Sequence, residues 1–99
     1  MGRATHHRPR MLSEKLLAIR LELGLSQNEL IRKMKVHTAI LQASISGYEL
    51  GTRVPPLKVL LEYARIAGVC TDVLIDDDAE LPKRLPGNPR HAYGSKLRD

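Results

Sequence analysis

The stretch from Leu25 to Pro56 constrains this chain more than any other, because it carries helix-start and helix-stop signals in close succession. Ser26 followed three residues later by Glu29 is a capping box, in which each side chain satisfies a backbone donor at a helix start. A helix N-terminus is therefore expected at Leu25-Ser26-Gln27. Leu30, Ile31 and Met34 give that helix an apolar stripe, with Arg32, Lys33 and Lys35 turned largely toward water. A second stripe follows at Leu41, Ile45 and Tyr48 and closes at Gly51, which can take up the left-handed conformation that ends helices. Gln42, Ser46 and Gly47 are then expected to face outward. The whole stretch reads as two helices joined by a turn.

Three segments carry a resemblance: GLSQNEL at Gly24–Leu30, SISGYELG at Ser44–Gly51 and PLKVLLEYARIAGV at Pro56–Val69. Together they resemble the lambda-repressor-like helix-turn-helix family of DNA-binding proteins, the Cro and Xre relatives, over roughly residues 12–76 of the 99. The resemblance implies an all-α fold, a compact five-helix domain whose second and third helices form the helix-turn-helix. Between Ser26 and Ile45 the chain is about four residues longer than the family pattern, in VHTAILQA, and four residues are close to one helical turn. Leu41 stands four positions before Ile45, so the recognition helix is expected to gain a turn at its front and to span about residues 38–50.

Charge is unevenly distributed. Of the formal +5, residues 1–11 hold +3 in Arg3, Arg8 and Arg10; residues 12–78 hold eight basic and nine acidic side chains; residues 79–99 hold five basic and two acidic. The expected folded part is nearly neutral, so the case for nucleic acid rests on the motif and on the local cluster of Arg32, Lys33, Lys35 and Arg53 rather than on the overall excess. With no Trp, no Phe and three Tyr, the core must be largely aliphatic. Cys70 is the single cysteine, which excludes an internal disulfide and fits a reducing cytoplasm. The opening MGRATHHRPR has no hydrophobic signal region and no apolar run approaches a membrane span, so a cytoplasmic protein is expected.

Along the chain, residues 1–11 are expected to be a flexible basic arm, either a leader with no task or an arm that places Arg in the minor groove. Ser13, with Leu12 ahead of it, begins the first helix; Leu16, Leu17, Ile19, Leu21 and Leu23 form its apolar side, and Gly24 ends it. After the Thr52–Pro56 linker, Pro56 suits the first turn of a fourth helix whose buried face is Leu57, Leu60, Leu61, Ala64 and Ala67, stopped by Gly68. Thr71 can cap a short fifth helix over Asp72–Ile75. The run Asp76-Asp77-Asp78 reads as a solvated exit, and from Ala79 to Asp99 the repeated Pro and Gly predict a disordered basic tail. The domain is thus bounded at 12–78.

No cofactor motif, metal-ligand spacing or nucleophile arrangement is present in the four His and one Cys, so neither an enzyme nor a metal protein is expected. The family resemblance implies that Gln27 contacts a phosphate, that Gln42, Ala43 and Gly47 with Ser44 and Ser46 beside them face the bases, and that Thr52 and Arg53 form a second phosphate clamp. If the helix gains its turn, Thr38 shares the reading. Gln42 can bind adenine bidentately and Ala43 can touch a thymine methyl. The resemblance also implies an Arg20–Glu49 bridge with a structural role; an exposed pair of this kind contributes about 0–1 kcal/mol. Two functions compete. One is a sequence-specific regulator of transcription, a repressor, bound to double-stranded DNA as a homodimer, with Val69, Val73, Leu74 and Ile75 the candidates either for that contact or for closing the core. The other is an antitoxin or phage accessory module that holds a protein partner.

Overall fold

The computed structural model describes residues 9–35, 40 and 42–87, which form five helices: α1 Leu12–Glu22, α2 Gln27–Lys33, α3 Gln42–Leu50, α4 Leu57–Ala67 and α5 Thr71–Ile75. No strand occurs among the described residues. The all-α, five-helix architecture matches the expectation, and the core is built from Leu12, Leu16, Ile19, Leu30, Ile45 and Leu74 around a fully buried Tyr63.

Helix α1 begins at Leu12, and its N-cap, Met11, has no local side-chain cap. Asp77, distant in sequence, takes that role: its Oδ1 accepts the Met11 N–H and its Oδ2 the Arg10 N–H, each at 3.0 Å. The acidic run is therefore not simply a solvated exit. Lys15 lies on the same face as Leu12, Leu16 and Ile19 and is buried with them. Its Nζ donates to the carbonyls of Val73 and Asp76 at 2.7 and 2.8 Å, so a cation meets the C-terminal end of α5, where the helix dipole favours it. Leu21, placed on the apolar side by the sequence, is instead 61% exposed, because two residues beyond Ile19 a helix has turned by about 200°.

Both halves of the α2 capping box are present: Glu29 N–H donates to Ser26 Oγ at 3.0 Å and Ser26 N–H to Glu29 Oε1 at 2.8 Å. The third helix does not gain the expected turn continuously. Ile40 is non-helical and α3 begins at Gln42, so the span 38–50 is corrected to 42–50; residues 36–39 and Leu41 lie outside the described residues. The reason lies in packing. Ile40 is packed against the core. On a helix extended backward, it would stand five residues before Ile45 and point about 140° away from it. The other end of the link is also held, with Met34 buried and the Lys35 N–H donating to Glu62 Oε1 at 2.9 Å.

In α4 the buried face is rotated from the one expected. Val59, Leu60, Tyr63, Ala64 and Ala67 face the core, whereas Leu57 and Leu61 are 80% and 55% exposed. Tyr63 is the largest side chain on the helix and its burial sets the rotation. Gly68 ends α4 in the left-handed conformation, at φ 78°. Thr71 is the first residue of α5 rather than its cap, which is Cys70.

The folded body also outruns its expected boundary at residue 78. Leu85 is a core residue, Leu81 packs against the core, and the Gly87 N–H donates to the Ala67 carbonyl at 2.8 Å. A Cβ on Gly87 would stand 1.9 Å from the Ile66 carbonyl oxygen, so the segment can cross α4 this closely only as glycine. Residues 79–87 are therefore part of the domain, and residues 88–99 lie outside those described.

Candidate nucleic-acid interface

The relation between α2 and α3 is set by a chain of polar contacts centred on Glu49. Arg20 donates to it twice, Nε to Oε2 at 2.6 Å and Nη2 to Oε1 at 3.0 Å, while Arg20 Nη1 reaches the Leu25 carbonyl at 2.9 Å. Gln27 Nε2 donates to Glu49 Oε1 at 3.1 Å, and the Ser46 hydroxyl donates to Gln27 Oε1 at 3.1 Å. One carboxylate thus ties α1 and the start of α2 to the last turn of α3, and Gln27 carries the link on to Ser46 in the middle of that helix. The Arg20 and Glu49 side chains are only 15% and 6% exposed, so the exposed pair expected from sequence is in fact a nearly buried one. Hydrogen bonding to Glu49 holds the Arg20 guanidinium charged even more firmly than usual, against the opposing effect of burial.

Above this anchor, α3 presents its N-terminal part outward. Gln42 and Ala43 are exposed, Ser44 and Ser46 half-buried, while Ile45 and Tyr48 face the core. The N–H groups of Gln27 and Asn28 open α2, ahead of its first intrahelical hydrogen bond. A rigid helix pair with one exposed helix start and one locked inner face is the geometry of a groove reader. A family model described as helix-turn-helix matches residues 16–74, more than half of the chain.

The chain belongs to the Cro/C1-type helix-turn-helix family. The family is one of DNA-binding regulators and is not typically enzymatic. No curated protein and no solved structure is matched by the chain. No helix among the described residues is long and apolar enough to cross a membrane, and none of their His, Cys, Asp and Glu side chains group in threes that could hold a metal ion.

The remaining helix-turn-helix positions fall as follows. Gly47 does not face outward freely: it is buried, and the side chain of Arg53 lies over it. Thr52 and Arg53 are exposed past Gly51, where both of their N–H groups donate to the Gly47 carbonyl, at 2.9 and 3.1 Å. Thr38 lies outside the described residues. Arg32, Lys33 and Lys35 are exposed at the end of α2. A cleft of about 340 Å³ runs between the root of the N-terminal arm and the turn after α3, lined by Arg10, Ser13, Tyr48, Gly51, Arg53 and Val54.

Some contacts that position the helix-turn-helix had no local signal in the sequence. Gln27 carries its carboxamide to Ser46 and Glu49, which only the packed fold brings near. Lys15 could have been found: it is a cation inserted into the periodic apolar face Leu12-Leu16-Ile19. Tyr63 is buried with its hydroxyl unpartnered, and burial followed by the nearby Glu49 charge pushes its ionisation well above the ordinary tyrosine range.

Proposed function

We propose that this helix-turn-helix protein is a sequence-specific transcriptional repressor that binds an inverted repeat in double-stranded DNA as a homodimer. The observation that carries the reading is the exposed start of α3, Gln42 and Ala43, held in fixed relation to the start of α2 by the Glu49 network. In this reading α3 enters the major groove, where Gln42 pairs with adenine and Ala43 meets a thymine methyl, with Ser44 and Ser46 beside them. The amides at the start of α2, with Gln27, meet one phosphate, and Thr52 lies by another. Arg10, at the edge of the cleft, and the exposed Arg32, Lys33 and Lys35 at the end of α2 supply charge for the backbone.

Dimerisation follows from the small number of bases one short helix can read; two half-sites about one helical turn apart supply the missing specificity. Of the residues expected at the contact, Leu74 is fully buried and Val69 packs on the core, which leaves Ile75 and Val73. Leu57 and Leu61, one turn apart on α4, add an exposed apolar strip for a second copy of this chain.

The test is selection of duplexes from a random pool, followed by sedimentation of the complex. An inverted repeat bound by two chains is expected, and Gln42→Ala should relax one base position in each half-site by roughly 5- to 150-fold. Weak binding without sequence preference would overturn the repressor reading and leave the protein-partner module in its place. A single chain on the selected site would remove the homodimer.

A further inference from the structure

Helix α3 carries no Lys, Arg or His anywhere from Gln42 to Leu50. Its outward groups are an amide, a methyl and hydroxyls, which suit adenine and thymine and provide no strong reader of the two acceptors on the guanine edge. The nearest cation comes from outside the helix. Because the Thr52 and Arg53 N–H groups both fold back onto the Gly47 carbonyl, the Arg53 side chain starts beside Gly47 and runs along α3 toward its N-terminus. There Arg53 Nη1 donates to Ser44 Oγ at 3.0 Å, in the first turn of the helix.

Gly47 makes this path possible. A Cβ at that position would stand 2.6 Å from Arg53 Cδ and 2.8 Å from Cγ. Glycine is the poorest non-proline residue for a helix interior. Here it forms the seat for an arginine. Ser44 occupies one donor and leaves the Nε–Nη2 fork open. The ion pairs among the described residues, Arg10–Asp77, Arg20–Glu49 and Arg65–Glu62, do not include Arg53.

We propose that Arg53, seated on Gly47 and oriented by Ser44, is a specificity-determining residue that reads a guanine in the major groove. The inference rests on the DNA-reading function proposed above and deepens it. A guanidinium held beside the first turn of the recognition helix stands where that helix meets base edges, not at the flank where the backbone passes. The bidentate arginine–guanine pair is the commonest specific contact in that groove. The role differs from a phosphate clamp in what it demands of the side chain: a clamp needs only charge, a guanine reader needs the planar fork in a fixed place.

The test compares wild type with Gly47→Ala, Arg53→Lys and Arg53→Ala, using the sequences each selects and their affinity against salt. Gly47→Ala keeps the arginine and removes its seat. It should relax one guanine position by roughly 5- to 150-fold, with a melting temperature no lower than wild type. Arg53→Lys should relax the same position while keeping the salt slope. Replacing that guanine by 7-deazaguanine, which lacks the N7 acceptor, should weaken wild type and leave Arg53→Ala unaffected. If Gly47→Ala and Arg53→Lys select the wild-type site, and Arg53→Ala weakens every sequence equally with a shallower salt slope, Arg53 is a phosphate clamp and the inference is overturned. A wild type that selects no site at all would instead sink the repressor reading, and this one with it.

Discussion

Between α1, α2 and α3 a network of side-chain hydrogen bonds is added to the apolar packing, whereas α4, α5 and the segment after them join one another by apolar burial and by backbone crossing backbone. Arg20, Gln27, Ser46 and Glu49 link three helices through directional hydrogen bonds. At the other end, Leu74 and Leu85 disappear into the core and Gly87 rests on the last turn of α4. Directional contacts specify an angle, and apolar burial specifies compactness. The half that must present a helix at a set angle is the half that uses the directional kind.

The comparison is broken most forcefully at Glu49. Glu49→Ala strands the nearly buried Arg20 cation with one backbone carbonyl, and a loss of about 3–4 kcal/mol in unfolding free energy is expected by denaturant titration. A loss under about 1 kcal/mol would place the pair with ordinary surface bridges. In the other half, Leu85→Ala should cost about 2–3 kcal/mol through lost burial and the cavity left behind, and should expose residues 79–87 to proteolysis. An unchanged cleavage pattern would mean that the segment is not held by that side chain.

Smaller and sharper is the response to acid. Glu62 is held below its ordinary 4.5 by Arg65 and by the Lys35 N–H, and Asp77 below its ordinary 3.8 by the Arg10 and Met11 N–H groups. A depressed folded-state pKa gives stability that is complete above the ordinary value and is lost as pH falls through the folded one. Stability should therefore hold down to about the ordinary carboxylate range and decline below it. Asp77→Asn should be less stable than wild type at neutral pH, and the gap should close in acid, as wild-type Asp77 gains its proton. A gap independent of pH would show that the Asp77 charge is not what caps α1.

What the sequence made legible was what local chemistry decides. Ser26 and Glu29 announced α2, Gly24, Gly51 and Gly68 marked helix ends, and each of these glycines has a positive φ. Faces were less legible than elements. Leu57 and Leu61 fit a helical stripe as well as Val59 and Tyr63 do, and only the bulk of Tyr63 against the core decides between them. The register of Leu41 points to a longer helix before α3, yet Ile40 packs from a non-helical position. Long-range partners were silent: nothing near Asp77 in sequence says that it meets the start of α1. Arg53 was legible as a cation beside the motif, but its path over Gly47 needed the fold.

The link between α2 and α3 is pinned where it leaves α2, at Lys35, and again at Ile40. The angle between the two helices is kept by Gln27, Ser46 and Glu49, none of which belongs to the link. Lengthening the connection would therefore cost little, since the entropy of closing a chain segment between fixed ends rises slowly with its length. A designer seeking a place to graft a peptide without disturbing the relation between α2 and α3 would choose this spot.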